Sequence, residues 1–548
     1  MAHALAGKPV QEQDIIDVQT IVDAYFDNVP DMTNPTQLVS FGTSGHRGTS
    51  VDGTFTDLHV AAITQAICDG RKQFGATGPI FVGQDTHALS QPALVTVLEV
   101  LAGNGVTAMV DCDMAFVPTP SVSRAIIRYN EEHDDKADGI IITPSHNPPD
   151  NGGIKYNTII GGPADTVVTK WIEMRANGYL TAYCESEDFK RISIDNIEPT
   201  AQVPYDYKGL YVEELGDVIN MEAIKAAGPK VLVDTLGGSG ASYWNAIKER
   251  YGLDLTIIHD DYDPTFSFMT YDHDGKVRMD CSSTYVMASV INRIGDFDLA
   301  VGNDPDYDRY GIVVSSGLIS ANTFLTLAAR YLFTTRGWKN KGVGKTVVCT
   351  TMIDKWAADA ETPVFEVPVG FKYFSQLLFD GAIGIGGEES AGASFLKKDG
   401  TVWTTDKDGM IMALLSMEIM AVMGKSALKM ADEFVEEFGN PSFGRIDAPC
   451  KKEQKQILKQ MSAELITATT VDGDPITNIR TTSLYNDMPI DGVRVETDKG
   501  WFVARPSGTE DLYKIYGESY KGDLGLVALL TAGEEIVNAA LNGTIETE

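Results

Sequence analysis

Val231-Leu-Val-Asp-Thr-Leu-Gly-Gly-Ser-Gly240 decides the fold class. A short apolar run reaches Asp234, a glycine-rich turn follows, a helical stretch continues to Tyr251, and a second apolar run occupies residues 253–258. Apolar runs of this length, separated by a helix-length segment, read as two strands joined by a crossover helix. The same unit stands upstream, as a strand over 80–83, a turn over 84–90, a helix over 91–102 and a strand over 106–110. It stands again downstream, as a strand over 346–349, a turn over 350–352, a helix through Ala360 and a strand over 364–367. Strands alternating with helices imply α/β layers with largely parallel pairing. Units spaced this widely imply three related domains rather than a solenoid of short repeats.

The C-terminal segment departs from that pattern, with a helix expected over 451–464, strands around 492–496 and 501–504, and a last helix from Leu524. The polar stretch 185–207, with Pro199 and Pro204, and Gly439-Asn-Pro441 read as boundaries. The expected domains are 1–200, 201–318, 319–438 and 439–548, and 548 residues suit three or four domains of about 150 each.

Composition narrows the function. The apolar fraction is 43% and the charged fraction 22%, so each domain can bury a core. With 77 acidic against 44 basic residues, the net charge of −33 argues against nucleic acid or an anionic membrane surface as partner. An anionic substrate would need a locally basic pocket. Cys68, Cys112, Cys184, Cys281, Cys349 and Cys450 have neither CxxC nor metal-ligand spacing and read as thiols of a reducing compartment. Residues 1–13 lack the apolar region of a signal peptide. The Met-rich stretch 410–424 is too short to span a bilayer and reads as a buried core helix. The expectation is a cytoplasmic protein.

Four motifs carry chemistry. In Asn303-Asp-Pro-Asp-Tyr-Asp-Arg309, carboxylates at alternate positions follow an apolar run over 297–301, and their oxygens can converge on a hard cation. An EF-hand is excluded, because its glycine and glutamate positions hold Arg309 and Ser315, and a haloacid dehalogenase pattern fails for lack of Thr or Val. A solvated acidic turn is the other reading. In Asp138-Gly-Ile-Ile-Ile-Thr-Pro-Ser-His-Asn-Pro-Pro149, a strand runs into a proline-stiffened loop that presents Ser145 and His146, residue types suited to nucleophilic phosphoryl chemistry. Read alone, such a pair on a loop is more often structural. Lys155 follows a Gly152-Gly153 turn.

Gly384-Ile-Gly-Gly-Glu-Glu-Ser-Ala-Gly392 offers Glu388 and Ser390 to a polyol, or is a strand-end turn. Lys407 follows in Thr405-Asp-Lys-Asp-Gly409. Arg505-Pro-Ser-Gly-Thr-Glu510 combines a guanidinium, hydroxyls and backbone amides suited to an oxyanion. No GxSxG elbow occurs. Gly344-Lys-Thr346 is no P-loop, since residue 339 is Lys and a strand follows, and Gly237-Gly-Ser-Gly240 is no dinucleotide fingerprint, since residue 243 is Tyr.

Together with Phe41-Gly-Thr-Ser-Gly-His-Arg-Gly48, these segments resemble, in order and over nearly the whole chain, the α-D-phosphohexomutase family and its bacterial glucose-handling branch. The resemblance implies an α/β fold of four domains around a central cleft, three related α/β units plus a smaller C-terminal α+β domain. It implies that Ser145 is phosphorylated in the resting enzyme and that Asp304, Asp306 and Asp308 hold Mg²⁺, with a phosphoserine oxygen completing the site. Glu388 and Ser390 would read sugar hydroxyls. Arg505, Ser507, Gly508 and Thr509 would hold the phosphate that is not reacting, and Arg47, His146, Lys155, Arg309, Lys372 and Lys407 would line the reacting end. Pro305 and Tyr307 stand where the family often has glycine between the aspartates.

The implied reaction interconverts glucose 1-phosphate and glucose 6-phosphate through glucose 1,6-bisphosphate, with Lys155 the first candidate for proton transfer and His146 the second. A mannose-preferring or dual-specificity mutase is the nearest alternative, and a silent sugar-phosphate-binding protein of the same fold is another. The expected partners are small sugar phosphates, with the chain a monomer or homodimer.

Overall fold

The computed structural model describes residues 2–42, 44–183, 189–506 and 512–545. The chain divides into two compact units. The first comprises Met1–Ala321, Phe374–Ala382 and Ser390–Leu428, and the second Asn322–Tyr373, Ile383–Glu389 and Lys429–Glu548.

The first unit contains two sheets. Strands β1 (His46–Thr49), β2 (Ile80–Gln84), β3 (Ala108–Asp111), β4 (Asp138–Ile142), β5 (Asn151–Asn157) and β6 (Gln202–Tyr205) form one in the order β1-β5-β4-β2-β3-β6. The run β4-β2-β3-β6 is parallel, while β5 runs antiparallel to both neighbours. Every residue of β2 and β4 is buried, as parallel strands covered by helices on both faces require. Two expectations change here. The pair Gly152-Gly153 is strand rather than turn, because β5 needs both residues to pair with β1. The stretch read as linker up to Tyr207 contains β6, beyond the boundary expected at residue 200. Pro204 lies on that edge strand, where a missing N–H removes no ladder bond.

Strands β7 (Val231–Asp234), β8 (Leu255–Ile258), β9 (Leu299–Asn303), β10 (Tyr310–Val314) and β11 (Gly317–Leu318) make the second sheet, ordered β11-β10-β9-β7-β8. The unit quoted first is realised as β7, the helix Ala241–Tyr251 and β8, with β7 parallel to β8 and β9. Against β9 and β10 packs the Met-rich helix Gly409–Met423, buried from Gly409 through Ile419. It is therefore a core helix, and its one buried carboxylate, Glu418, accepts from the Asn220 amide at 2.7 Å.

In the second unit β12 (Gly342–Thr346), β13 (Val364–Val367) and β14 (Ile383–Gly387) pair in parallel with β12 in the middle. The strand expected over 346–349 thus begins four residues earlier. Two glycines in Gly342-Val-Gly-Lys-Thr346 disguised it, yet a Cβ on Gly342 would stand 2.2 Å from the Phe365 ring, so packing selects glycine there. The short β15 (Ala393–Phe395) belongs to the first unit.

The C-terminal part is an antiparallel sheet, β16 (Ser442–Pro449), β17 (Thr470–Val471), β18 (Asp474–Thr482), β19 (Pro489–Thr497), β20 (Gly500–Pro506) and β21 (Leu512–Ser519), in the order β16-β21-β20-β19-β18-β17. The helix expected over 451–464 stops at Lys459, and Ser462 caps a separate 3-10 turn by accepting from the Glu464 amide. The last helix, Gly522–Ile545, is long and apolar enough over 21 residues to cross a membrane by length and composition. It lays Leu526, Leu529, Leu530, Val537 and Leu541 into the core of this sheet, which explains its apolar face without a bilayer.

Candidate active site

Two loops at strand ends of the first unit supply the reactive groups. One follows β4 and carries Ser145 and His146; the other follows β9 and carries Asp304, Asp306 and Asp308. They meet at a hydrogen bond, in which Ser145 Oγ donates to Asp304 Oδ2 at 2.9 Å across 159 residues of sequence. Ser145 is 1% exposed and the three aspartates are fully buried. Ser145 holds φ 61°, left-handed for a non-glycine residue, and its amide donates to Thr143 Oγ1 at 2.8 Å.

One carboxylate oxygen from each of Asp304, Asp306 and Asp308 lies within 4.8 Å of the others. Cations surround them. Lys155, on β5, reaches Asp306 Oδ2 at 2.5 Å and Asp308 Oδ2 at 3.0 Å, and Lys407 reaches Asp308 Oδ2 at 2.7 Å. The Arg309 amide donates to Asp304 Oδ1 at 3.0 Å, and its guanidinium lies 4.0 Å from Asp308 and 3.5 Å from Asp280. Arg47, on β1, donates to Ser44 Oγ at 3.2 Å and interacts electrostatically with Asp306 and Asp308.

Burial, and then the charges of Asp306 and Asp308, push the Asp304 carboxyl well above the usual carboxylate range. Burial would also raise Asp308, but Lys155, Lys407 and Arg309 hold it well below that range. Burial works against the Lys155 ammonium, yet Asp306 and Asp308 keep its pKa above the ordinary value. Burial, reinforced by Arg309 and opposed by Asp280, drives His146 well below an ordinary histidine. Its Nδ1 lies 3.3 Å from Ser145 Oγ.

Whether these residues suit a divalent cation can be tested on two atoms. Asp306 Oδ1 and Asp308 Oδ1 are buried without a hydrogen-bond partner among the described residues. Buried anionic oxygens left unpaired are costly. Three converging carboxylates with spare oxygens form the hard donor set that Mg²⁺ prefers. The residues fit the ion.

The aspartate loop owes its shape to groups the sequence reading passed over. Tyr307 holds φ 62° and is fully buried. Its ring lies on Gly240, where a Cβ would stand 2.4 Å from it, and a Cβ on Gly238 would stand 2.7 Å from Pro305 Cα. Ser239 donates to Pro305 O through both its amide and its hydroxyl, each at 2.8 Å. The glycine-rich turn set aside as a failed dinucleotide motif is thus the seat of the aspartate loop. Thr119 was also missed; its hydroxyl donates to Asp306 Oδ2 at 2.8 Å and its amide to Asp306 O at 2.9 Å. Its position between Pro118 and Pro120 was the available signal.

The remaining expected residues are distributed as follows. Ser390 is half-buried in the first unit. Glu388, at the end of β14, is buried in the second, where Lys372 also lies with Nζ 5.5 Å from the Tyr373 ring centroid. Arg505, on β20, donates through Nε to Ile490 O at 3.2 Å. Ser507, Gly508 and Thr509 lie outside the described residues.

Comparison with known proteins supports the order of domains along the chain. Four family models match in succession, described as phosphoglucomutase/phosphomannomutase alpha/beta/alpha domain I over residues 38–181, domain II over 210–317, domain III over 320–438 and the C-terminal domain over 447–524. The chain belongs to the phosphoglucomutase/phosphomannomutase family. Within it, a phosphoglucomutase of Komagataeibacter xylinus is 46% identical over 539 residues, 97% of each chain. Phosphoglucomutase 1 of Saccharomyces cerevisiae is 27% identical over 88% of each. Among solved structures, the open form of the exocytosis-sensitive phosphoprotein pp63/parafusin from Paramecium shares the fold with a TM-score of 0.72 at 20% identity, covering 94% of this chain and 96% of that one.

Proposed function

We propose that this chain is a phosphoglucomutase, interconverting glucose 1-phosphate and glucose 6-phosphate through phospho-Ser145 and a glucose 1,6-bisphosphate intermediate. The observation that carries the reading is the Ser145–Asp304 hydrogen bond at 2.9 Å, a hydroxyl set on a buried carboxylate triad. The 46% identity to a phosphoglucomutase over nearly the full length supports glucose as the sugar.

Asp304, Asp306 and Asp308, with a phosphoserine oxygen, would hold Mg²⁺, which when bound supplies positive charge against the phosphoryl oxygens. Phosphoryl transfer passes through a loose transition state, so alignment and charge neutralisation do most of the work. Arg309, Arg47 and Lys407 flank the triad and neutralise charge at the reacting end. Lys155, held as an ammonium by two aspartates, is a proton donor and a poor base. His146, pushed well below an ordinary histidine by burial and Arg309 and 3.3 Å from Ser145 Oγ, takes the proton of the attacking sugar hydroxyl in our reading, ahead of Lys155.

Phospho-Ser145 gives its phosphoryl group to the free hydroxyl of glucose 1-phosphate; after the bisphosphate turns round, the other phosphoryl group returns to Ser145. Glu388 and Ser390 read the sugar. Lys372 joins the reacting end, while Arg505, Ser507, Gly508 and Thr509 take the phosphate that is not reacting; four domains divide these tasks, the first running through β6 to Tyr205 rather than stopping at 200 and the others ending at 318, 438 and 548. Among the described residues Cys68, Cys112, Cys281, Cys349 and Cys450 form no disulfide, in accord with a cytoplasmic setting.

The test is conversion of glucose 1-phosphate with Mg²⁺ and a trace of the bisphosphate. Wild type should turn over and Ser145→Ala should be inert. Turnover confined to mannose 1-phosphate would move the substrate, and no turnover on any hexose phosphate would overturn the reading.

A further inference from the structure

We infer that Asp85 and His87 are positioning residues that clamp the Ser145 loop from both sides, an inference resting on Ser145 as the phosphoryl carrier. A non-glycine residue in left-handed backbone is strained and persists only where its surroundings over-determine it. Ser145 is such a residue. Its amide donates to Thr143 Oγ1, and Thr143 Oγ1 donates to Asp85 Oδ2 at 2.6 Å. On the far side of the loop, His87 Nε2 donates to Asn147 O at 3.0 Å, while His87 Nδ1 donates to Asp85 Oδ2 at 2.8 Å. Residues 143 and 147 therefore hang from one carboxylate, with Ser145 midway between them.

The carboxylate is itself anchored. Asp85 Oδ1 accepts from Ser90 Oγ at 2.6 Å and from the His87 amide at 3.0 Å, and Ser90 is the first residue of the helix Ser90–Gly103. Asp85, His87 and Thr143 have no exposed surface, and Ser90 is 1% exposed. Both ring nitrogens of His87 face pure acceptors, a carboxylate and a carbonyl, so the ring carries both protons and pairs as a cation with Asp85. Burial opposes that charge and Asp85 favours it, with the His87 pKa above its ordinary value as the outcome. The Phe266 ring, 5.1 Å from the imidazole, completes the packing around His87. A charged network so fully satisfied specifies one geometry, and the geometry it specifies is that of the nucleophile.

Thr143→Val and His87→Ala each cut one arm of the clamp. Each should lower kcat for glucose 1-phosphate by at least about tenfold with KM within about twofold, since a small misplacement of a reacting group is felt mainly in the chemical step. Thr143→Ser should restore kcat. Asp138→Asn serves as the comparison: this buried carboxylate of the same sheet binds Arg71 and Tyr156 away from the loop, so its loss should lower Tm and spare kcat. Amide hydrogen exchange should quicken at Ser145 in both clamp variants, and that readout does not depend on turnover. Wild-type exchange at 143–147, or wild-type kcat in both variants, would overturn the inference. Quickened exchange in a protein inactive on every hexose phosphate would uphold the clamp and count instead against the mutase reading.

Discussion

The serine loop and the aspartate loop touch at one hydrogen bond, and each places a non-glycine residue in left-handed backbone, Ser145 at φ 61° and Tyr307 at φ 62°. Both have backbone bonds, such as that from the Met279 amide to His146 O at 3.2 Å, but they differ in what else holds them. The serine loop hangs from side chains, through Thr143, Asp85 and His87. The aspartate loop is seated by backbone and shape: Gly238 and Gly240 leave room for Pro305 and Tyr307, Ser239 clasps Pro305 O, and the Gly409 amide donates to Tyr307 O at 2.9 Å. Three mutually repelling carboxylates need a mount that does not titrate, and backbone contacts provide one. A residue proposed to gain and lose a phosphoryl group meets a changing charge, to which hydrogen-bonded side chains can adjust. Steric seats fail abruptly, whereas hydrogen-bonded mounts fail by degrees.

That contrast can be broken in order of expected effect. Asp306→Asn removes the member of the triad shared by Lys155 and Thr119, and turnover at saturating Mg²⁺ should fall by at least about a thousandfold while circular dichroism is unchanged. Gly240→Ala keeps an ordinary backbone, with φ −94°, but drives a methyl into Tyr307. It should raise the Mg²⁺ concentration needed for half-maximal rate by about tenfold or more, a displacement worth about 1.4 kcal/mol per decade. Gly216→Ala, inside a helix with open space around it, should be neutral or slightly stabilising, and equal behaviour of the two variants would show that the seat is unimportant.

Mg²⁺ itself should raise the stability of wild type by about 2.7 kcal/mol at a hundred times its dissociation constant. Thermal melts of Asp306→Asn should show no such response, and an undiminished one would place the ion elsewhere.

The last effect vanishes at neutral pH and appears only in acid. His46, adjacent to Arg47, stacks on His59 with centroids 5.3 Å apart, and burial together with His46 pushes His59 down to about 3. The folded protein keeps His59 neutral where the unfolded chain, with a pKa near 6.5, takes up a proton. Its contribution is therefore fully present above pH 6.5 and is lost as pH falls from there towards 3, by up to about 1.4 kcal/mol per pH unit. His59→Gln should flatten the acid limb of Tm against pH in that window; an unchanged slope would remove His59 from the account.

Much of this was legible in the sequence because the signals are local. The apolar run ending at Asp234, its glycine turn and the helix to Tyr251 declare one crossover unit, and the spacing of Asp304, Asp306 and Asp308 declares a site where three carboxylates can converge. The structure brings Ser145, Lys155 and Lys407 onto that site, which the chain separates by up to a few hundred positions. What escaped was relational. Thr119 looks like an ordinary helix start until Asp306 is beside it. Gly238 and Gly240 carry meaning only as the complement of a tyrosine ring, and Gly342 hid a strand because Phe365 was not in view. Asp85 and His87 are unremarkable polar residues in a turn until the loop they hold is known.

The central claim is that Ser145 carries the phosphoryl group, and an intact-mass measurement after incubation with glucose 1,6-bisphosphate and Mg²⁺ tests it most directly. Wild type should gain one phosphoryl group, mapped by peptide fragmentation to Ser145 and discharged on adding glucose 1-phosphate, while Ser145→Ala gains none. A phosphoryl group elsewhere on the chain, or one on Ser145 that glucose 1-phosphate does not remove, would contradict the account.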